Sequence, residues 1–272
     1  MIQNREDQVT ALLQYPNLAL AVGQKVPHPA GSVDHDGELS EGRHKGKSAD
    51  STGLITEMAL HAAAAMGYRQ VVQLLLANGA NIEVTRREAY SLTEGTPLDS
   101  AAHHGRIGVV RLLLEKGADI EATRSSNGST ALYNASWRGH VGVVRRLLAS
   151  GADIEATTTE GEAALQAAAS YLQTEALRLL LEKGANVHAT NKKGETVLHS
   201  VFEVAIADPK LKDSKQLIPT ITVLLAHGAN ILQKDNFGNT PLDLAEQGRH
   251  LEAKKLFLRH INFQGTQLQT TT

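Results

Sequence analysis

The stretch Gly117-Ala118-Asp119-Ile120 decides how this chain folds, because its pattern Gly-Ala-[Asp/Asn]-[Ile/Val] occurs five times. The copies begin at Gly79, Gly117, Gly151, Gly184 and Gly228. Successive copies are separated by 38, 34, 33 and 44 residues. A leucine stands 19 residues before each of the first four, at Leu60, Leu98, Leu132 and Leu165. A period near 33 residues, with local insertions, predicts stacked units that each contact only their neighbours and together form a long concave surface.

The second unit shows that each repeat is expected to contain two helices. Thr96 is a favourable N-cap, and Pro97 suits the first helical position, where its missing N–H is harmless. Gly105 provides a turn, because glycine adopts positive φ without steric cost. The apolar run 109–114 then predicts a second helix, which Gly117 ends.

The unit openings and closings carry a family resemblance. Thr96-Pro97-Leu98-Asp99-Ser100-Ala101-Ala102 and Thr240-Pro241-Leu242-Asp243-Leu244-Ala245 resemble the opening of an ankyrin repeat, and Gly151-Ala152-Asp153-Ile154 resembles its closing loop. The resemblance implies an all-α ankyrin-repeat solenoid with finger loops projecting from one edge and first helices lining the concave face. About six helix-turn-helix units are expected, near residues 54–86, 87–124, 125–157, 158–190, 191–234 and 235–262.

The remaining segments are assigned from their composition. Residues 1–26 contain an apolar pattern and are expected to cap the array, whereas residues 27–53 are polar and predict a flexible linker. The fifth unit has 30 residues between its opening Leu198 and its closing Gly228 instead of 19, which places an insertion of about 11 residues at 206–219. Residues 263–272 form a Thr/Gln-rich tail that is expected to fray.

Composition limits the possible functions. The chain has 27 basic and 29 acidic residues, so bulk charge does not favour nucleic acid. It has no cysteine, which excludes disulfides, thiol catalysis and cysteine zinc sites. No secretory signal or membrane span is evident. A cytoplasmic monomer is the expectation, with the nucleus not excluded, and no cofactor is expected.

The 12 histidines do not predict a metal site. His61 and His199 follow opening leucines, where the family uses the ring to bond local backbone. His103 and His104 are adjacent, and neighbouring side chains on a helix diverge by about 100°, so they are not expected to face one ion together. No HExxH motif is present.

The best candidate binding residues lie at the ends of the first helices. In ankyrin arrays the two residues before each turn face the concave groove. In this chain they are Ala65-Met66, His103-His104, Trp137-Arg138, Ser170-Tyr171 and Glu203-Val204. Trp, Tyr and Arg are enriched at binding hot spots, which favours a groove role for Trp137, with core packing as its alternative. Equivalent positions in neighbouring helices are roughly 10 Å apart, a spacing that suits a groove better than one catalytic centre.

Finger tips add a second row of candidates, namely Arg124, Lys192, Lys193 and Phe237. Three functions remain open. The first is a module that binds a protein or peptide segment in the groove. The second is an enzyme or small-molecule binder that uses His104, Arg138, Tyr171 and Glu203 in a pocket closed by residues 1–26 or by the insertion. The third is a regulatory or effector role in a host cell, which the sequence does not distinguish from the first.

Overall fold

A computed structural model describes residues 50–85, 95–124, 126–207 and 215–270. Twelve α-helices lie within these ranges. They are α1 (Asp50–Met66), α2 (Arg69–Ala77), α3 (Pro97–His103), α4 (Ile107–Glu115), α5 (Ala131–Trp137), α6 (Val141–Ala149), α7 (Ala164–Ser170), α8 (Thr174–Glu182), α9 (Val197–Ala207), α10 (Leu217–Ala226), α11 (Pro241–Gln247) and α12 (Leu251–Thr270).

The helices form consecutive pairs that stack on one another. Each odd-numbered helix, here called a first helix, packs on the even-numbered second helix that follows it. Successive first helices also pack more closely against one another than successive second helices do. Closer packing on that side is what a stack with its first helices on the concave face requires. The described ranges contain no β-strand, only isolated bridges in the fingers between Thr157 and Ala163 and between Thr190 and Thr196. The all-α prediction is confirmed.

Helix starts follow the predicted capping chemistry. The Thr96 hydroxyl accepts a hydrogen bond from the Asp99 N–H at 3.3 Å, and Pro97 occupies the first turn of α3. Thr130 caps α5 in the same way. Ala163 has no capping side chain, and the Gln166 side chain instead accepts a hydrogen bond from the Ala163 N–H at 3.0 Å. The fourth unit thus retains part of a capping box without its usual threonine.

Second helices end at the five repeated glycines. Each glycine lies two residues beyond the last helical residue and has a φ between 84 and 92°. The alanine that follows then donates a hydrogen bond back into the helix, as the Ala118 N–H does to the Leu113 carbonyl at 3.0 Å. This is the Schellman arrangement, which satisfies carbonyls left unpaired at a helix end.

The core is a continuous aliphatic layer between first and second helices. The opening leucines Leu60, Leu98, Leu132, Leu165 and Leu198 are each at most 3% exposed. Leucines of the second helices, including Leu113 and Leu180, face them and are fully buried. Alanines such as Ala102 and Ala168 are also fully buried and keep the first helices thin enough to stack closely.

Three predicted boundaries are wrong where the structure describes them. Helix α1 begins at Asp50, so the last four residues of the expected linker are helical. Helix α12 continues through Thr270, where a frayed tail was expected from residue 263. Helices α9 and α10 extend into the expected 206–219 insertion from both sides. Residues 1–26 and the linker before residue 50 lie outside the described residues.

Lys254 and Lys255 give helix α12 a polar outer face. The Lys254 ammonium lies 2.9 Å from a Glu246 carboxylate oxygen, and that of Lys255 lies 2.8 Å from a Glu252 oxygen. No described helix is long and apolar enough to cross a membrane.

Candidate functional site

Aromatic rings from three successive units touch one another at the ends of their first helices. The His103 and Trp137 ring centroids are 5.2 Å apart, as are those of Trp137 and Tyr171. His104 adds a fourth ring, 5.0 Å from His103. We call His103, His104, Trp137, Arg138 and Tyr171 the ring ladder. The side chains are long enough to touch, although the spacing of roughly 10 Å between neighbouring helices was expected to keep them apart.

Arg138 is held in place by two other members of the ring ladder. Its Nε–H donates a hydrogen bond to His103 Nε2 at 3.2 Å, and its Nη2 lies 2.9 Å from the same nitrogen. The guanidinium carbon lies 4.3 Å from the Trp137 ring centroid, within the range of a cation–π interaction. The Arg138 side chain is nevertheless exposed. The arginine is therefore oriented before any ligand arrives.

His103 is a supporting residue, which corrects its place among the expected partner contacts. It is 4% exposed. Burial lowers the pKa of His103 to about 3, and the nearby positive charge of Arg138 acts in the same direction. A neutral ring can offer Nε2 as an acceptor, which is what the Arg138 guanidinium requires. The ring of the adjacent His104 makes an edge contact with that of His103.

The outer layer of the site contains the other candidates from the helix ends. Tyr171 is 41% exposed, and Met66 is 37% exposed at the equivalent position of the first unit. Trp137 and His104 are half-buried, and His104 Nδ1 lies 2.9 Å from the Ser100 carbonyl oxygen. Ser170 is half-buried, and its hydroxyl donates to the Gln166 carbonyl at 3.0 Å. The side chain of Glu203 lies outside the described part of the structure.

Two residues that the sequence analysis did not select flank the ring ladder. Arg106 and His140 follow the turn glycines of their units, and each bonds to the carbonyl of the preceding unit's first helix. Arg106 Nε donates to the Ala65 oxygen at 2.8 Å, and His140 Nε2 lies 3.0 Å from the His103 oxygen. Burial lowers the pKa of His140 despite that bond, and the charge of Arg138 adds to the effect. Both residues come one position after the turn glycine of their units, and this shared position could have identified them from the sequence.

The histidines after the opening leucines have the expected structural role. His61 is 1% exposed and its Nε2 lies 2.8 Å from the Gly95 carbonyl oxygen. His199 accepts a hydrogen bond from the Thr196 N–H at 3.1 Å through Nδ1, and its Nε2 lies 3.0 Å from the Asn239 oxygen. Both rings therefore join one unit to the finger of the next. The described residues contain no group of three metal-ligating side chains.

Arg124 is not an exposed finger-tip residue, and this prediction is corrected. Its side chain is 12% exposed, and its Nε lies 2.5 Å from an oxygen of the buried Asp99 carboxylate. Asn134 donates to the other oxygen of that carboxylate at 2.6 Å. The arginine is thus used inside the array, where it compensates a buried charge.

The other finger-tip candidates are exposed. Lys192 and Lys193 have exposed side chains, while their backbones join neighbouring fingers. The Lys192 N–H donates to the Glu160 carbonyl at 2.9 Å, and the Lys193 carbonyl accepts from the Asn236 N–H at 2.9 Å. Phe237 is 76% exposed, so its ring is not buried against the preceding finger.

Comparison with known proteins identifies the repeats. The family model described as "Ankyrin repeats (3 copies)" matches residues 43–124, 60–158 and 132–203, which together span more than half of the 272 residues. An ankyrin repeat domain from Acinetobacter baumannii AYE, solved by crystallography, is similar with 28% identity and a TM-score of 0.60. The alignment covers 74% of this chain and 96% of that domain. No curated protein matches the sequence significantly. Ankyrin repeats are generally protein–protein interaction modules. The chain belongs to the ankyrin-repeat family.

Proposed function

We propose that this protein binds a segment of a partner protein along the inner face of its array, with the ring ladder at the centre of the contact. The observation that carries this proposal is the row of touching rings, which ends in the exposed Tyr171 and carries the exposed Arg138. Met66 extends the same row by one unit toward the N-terminus. Residues 192–193 and Phe237 offer a second contact at the fingers.

The composition of the ring ladder suits a binding hot spot. Tryptophan, tyrosine and arginine side chains are enriched among the residues that dominate binding energy, which lie near the centre of an interface in well-packed surroundings. Trp137 is already ordered by His103 on one side and Tyr171 on the other. Pre-ordering lowers the entropic cost of association, because fewer rotamers are lost when the partner arrives.

The alternative role of Trp137, as a cap on the core between repeats, makes a different prediction. The aliphatic core is formed by residues such as Leu132 and Ala135, which are 2% and 0% exposed. The Trp137 ring contacts are with the polar or amphipathic members of the ring ladder. Truncating Trp137 should therefore affect binding more than stability.

The test is a selection of random displayed peptides on the full chain, followed by affinity measurements with the best synthetic peptide. The Trp137→Ala variant should bind that peptide with a loss of about 2–4 kcal/mol, the hot-spot range. Thermal unfolding should change little. Ile107→Ala is a matched control, because it removes an apolar side chain that is 48% exposed on the second helix α4.

Tyr171→Phe separates a binding surface from a catalytic one. The phenylalanine keeps the ring contact with Trp137, so affinity for the peptide should fall by less than about 1 kcal/mol.

A Trp137→Ala variant that melts far below the wild type would instead place Trp137 in the core. Peptide affinity that is equal in wild type and Trp137→Ala would remove the ring ladder from the binding site.

A further inference from the structure

The ring ladder lies in a cation-rich environment. The charged or titratable side chains that act electrostatically on His103 and His140 are Arg106, Arg124, Arg138 and the neighbouring histidines. No carboxylate of the described residues is among them. Asp99, four residues before His103, is buried against Arg124, whereas Glu175, four residues after Tyr171, is exposed on the second helix α8.

Arg138 retains hydrogen-bonding capacity after its internal contacts are counted. A guanidinium has five N–H donors, and the contacts of Arg138 with His103 use only Nε and Nη2. The ion pairs found among the described residues join Arg124, Lys254 and Lys255 to carboxylates, and Arg138 is in none of them. Its exposed side chain therefore presents unused donors, already oriented by the Trp137 ring.

We propose that the partner segment carries an aspartate or glutamate next to an apolar or aromatic residue. The carboxylate binds the Arg138 guanidinium, and the apolar side chain packs on the exposed edge formed by Trp137 and Tyr171. This inference rests on the proposed function and adds the chemistry of the partner. A guanidinium offers parallel N–H groups to a carboxylate, which a flexible lysine does not.

An acidic protein segment fits this surface better than nucleic acid. Binding to a polyanion requires several basic residues that follow its backbone, and it gives a steep dependence on salt. The chain has a formal net charge of −2, and the ring ladder contains one arginine among aromatic rings. One oriented guanidinium beside an apolar surface matches one carboxylate beside an apolar side chain.

The experiment uses the peptides selected on the full wild-type chain. The strongest binder is synthesised together with versions in which each Asp or Glu is replaced by Asn or Gln. Affinities are measured for wild type, Arg138→Gln, Arg138→Lys and the control Arg145→Gln. Arg145 is exposed on the second helix α6 of the same unit, so its substitution removes the same charge from elsewhere.

Replacing one particular acidic residue should weaken binding to wild type at least about tenfold, because it removes a charge-assisted hydrogen bond. In the Arg138→Gln variant the same replacement should change affinity by less than about twofold. This loss of the effect is the coupling expected of a contacting pair. Arg138→Lys should recover only part of the affinity. Arg145→Gln should behave as wild type.

Other outcomes separate this inference from the proposed function. Selected peptides that depend on Trp137 but carry no acidic residue would overturn the carboxylate inference and leave segment binding intact. The inference would also fail if the acid replacement cost as much with Arg138→Gln as with wild type, or if single-stranded DNA displaced the peptide. Selected peptides that are indifferent to Trp137→Ala, or the absence of any selected peptide, would overturn the proposed function itself.

Discussion

At the scale of single residues, the position after each opening leucine determines how one unit is joined to the next. Gln166 and His199 each place a nitrogen near the carbonyl oxygen that precedes the next helix cap. The Gln166 amide nitrogen lies 3.1 Å from that oxygen, and the His199 ring nitrogen lies 3.0 Å from the equivalent oxygen. Asp99 occupies the same position but, when ionised, has no N–H or O–H to donate. It instead accepts from Arg124 and Asn134. Burial nevertheless dominates and raises the pKa of Asp99 to about 6 from its ordinary 3.8.

This pKa predicts how Asp99 affects stability as the pH changes. A folded-state pKa above the unfolded value means that the folded protein binds the proton more tightly. The stabilisation from protonated Asp99 is therefore fully present below about pH 4 and is lost as the pH rises through about 6. Asp99→Asn imitates the protonated form. The stability of the variant relative to wild type should thus increase between pH 4 and 7, by on the order of 2 to 3 kcal/mol.

Urea denaturation of both proteins across this pH range measures the effect. Asp153→Asn is the control, because it changes an exposed carboxyl group in the closing loop of the next unit. A constant difference between Asp99→Asn and wild type from pH 4 to 7 would contradict the raised pKa.

At the scale of one element, the turn between α7 and α8 has a leucine where the turns of the three preceding units have a glycine. Leu172 has a φ of 53°, in the left-handed region that disfavours residues with a Cβ. Its side chain is 4% exposed and packs in the aliphatic core. The turn therefore keeps its shape at a local conformational cost, which the burial of the leucine offsets.

Two substitutions of Leu172 should separate these contributions. Both Leu172→Ala and Leu172→Gly remove the buried side chain, but only glycine also removes the strain at positive φ. The glycine variant should therefore be more stable than the alanine variant by about 1 kcal/mol. Equilibrium denaturation gives the comparison. At Ala168, a buried position inside α7, changing alanine to glycine should be destabilising by a similar amount, since φ is helical there.

At the scale of the whole molecule, the array depends on contacts between neighbouring units. Helix α12 is the last helix of the described residues, and its Phe257 is fully buried. The Phe257 ring meets that of Phe202, in the first helix α9, at 5.9 Å. Within the described residues α11 and α12 pack on one neighbouring unit only, so their stability is coupled to this interface.

Phe257→Ala should therefore destabilise the C-terminal end of the array before the rest. A loss of about 3–5 kcal/mol is expected for truncating a buried phenylalanine. Hydrogen exchange should show faster opening of α11 and α12, with α3 to α8 nearly unchanged. Leu258→Ala is the matched control, since that neighbouring side chain is 43% exposed. Uniformly faster exchange along the whole array would contradict this local coupling.

The units could be predicted from the sequence because their boundaries are set locally. Thr96 caps a helix through a bond to a residue three positions away, and Gly117 ends one through its own backbone conformation. The opening leucines of the first five units are buried, so their register was also readable. Equivalent reasoning located the candidate site at the ends of the first helices.

Only the tertiary structure decided which side chains of that site reach the surface. His103 and His104 are adjacent in sequence, yet His103 is buried beneath Arg138, a residue 35 positions away. Arg124 was expected at a finger tip and is paired with Asp99, which is 25 positions away. The period of the array was contained in the chain itself, because caps and turns are local. The exposure of a polar side chain was not, because it depends on what the next unit places beside it.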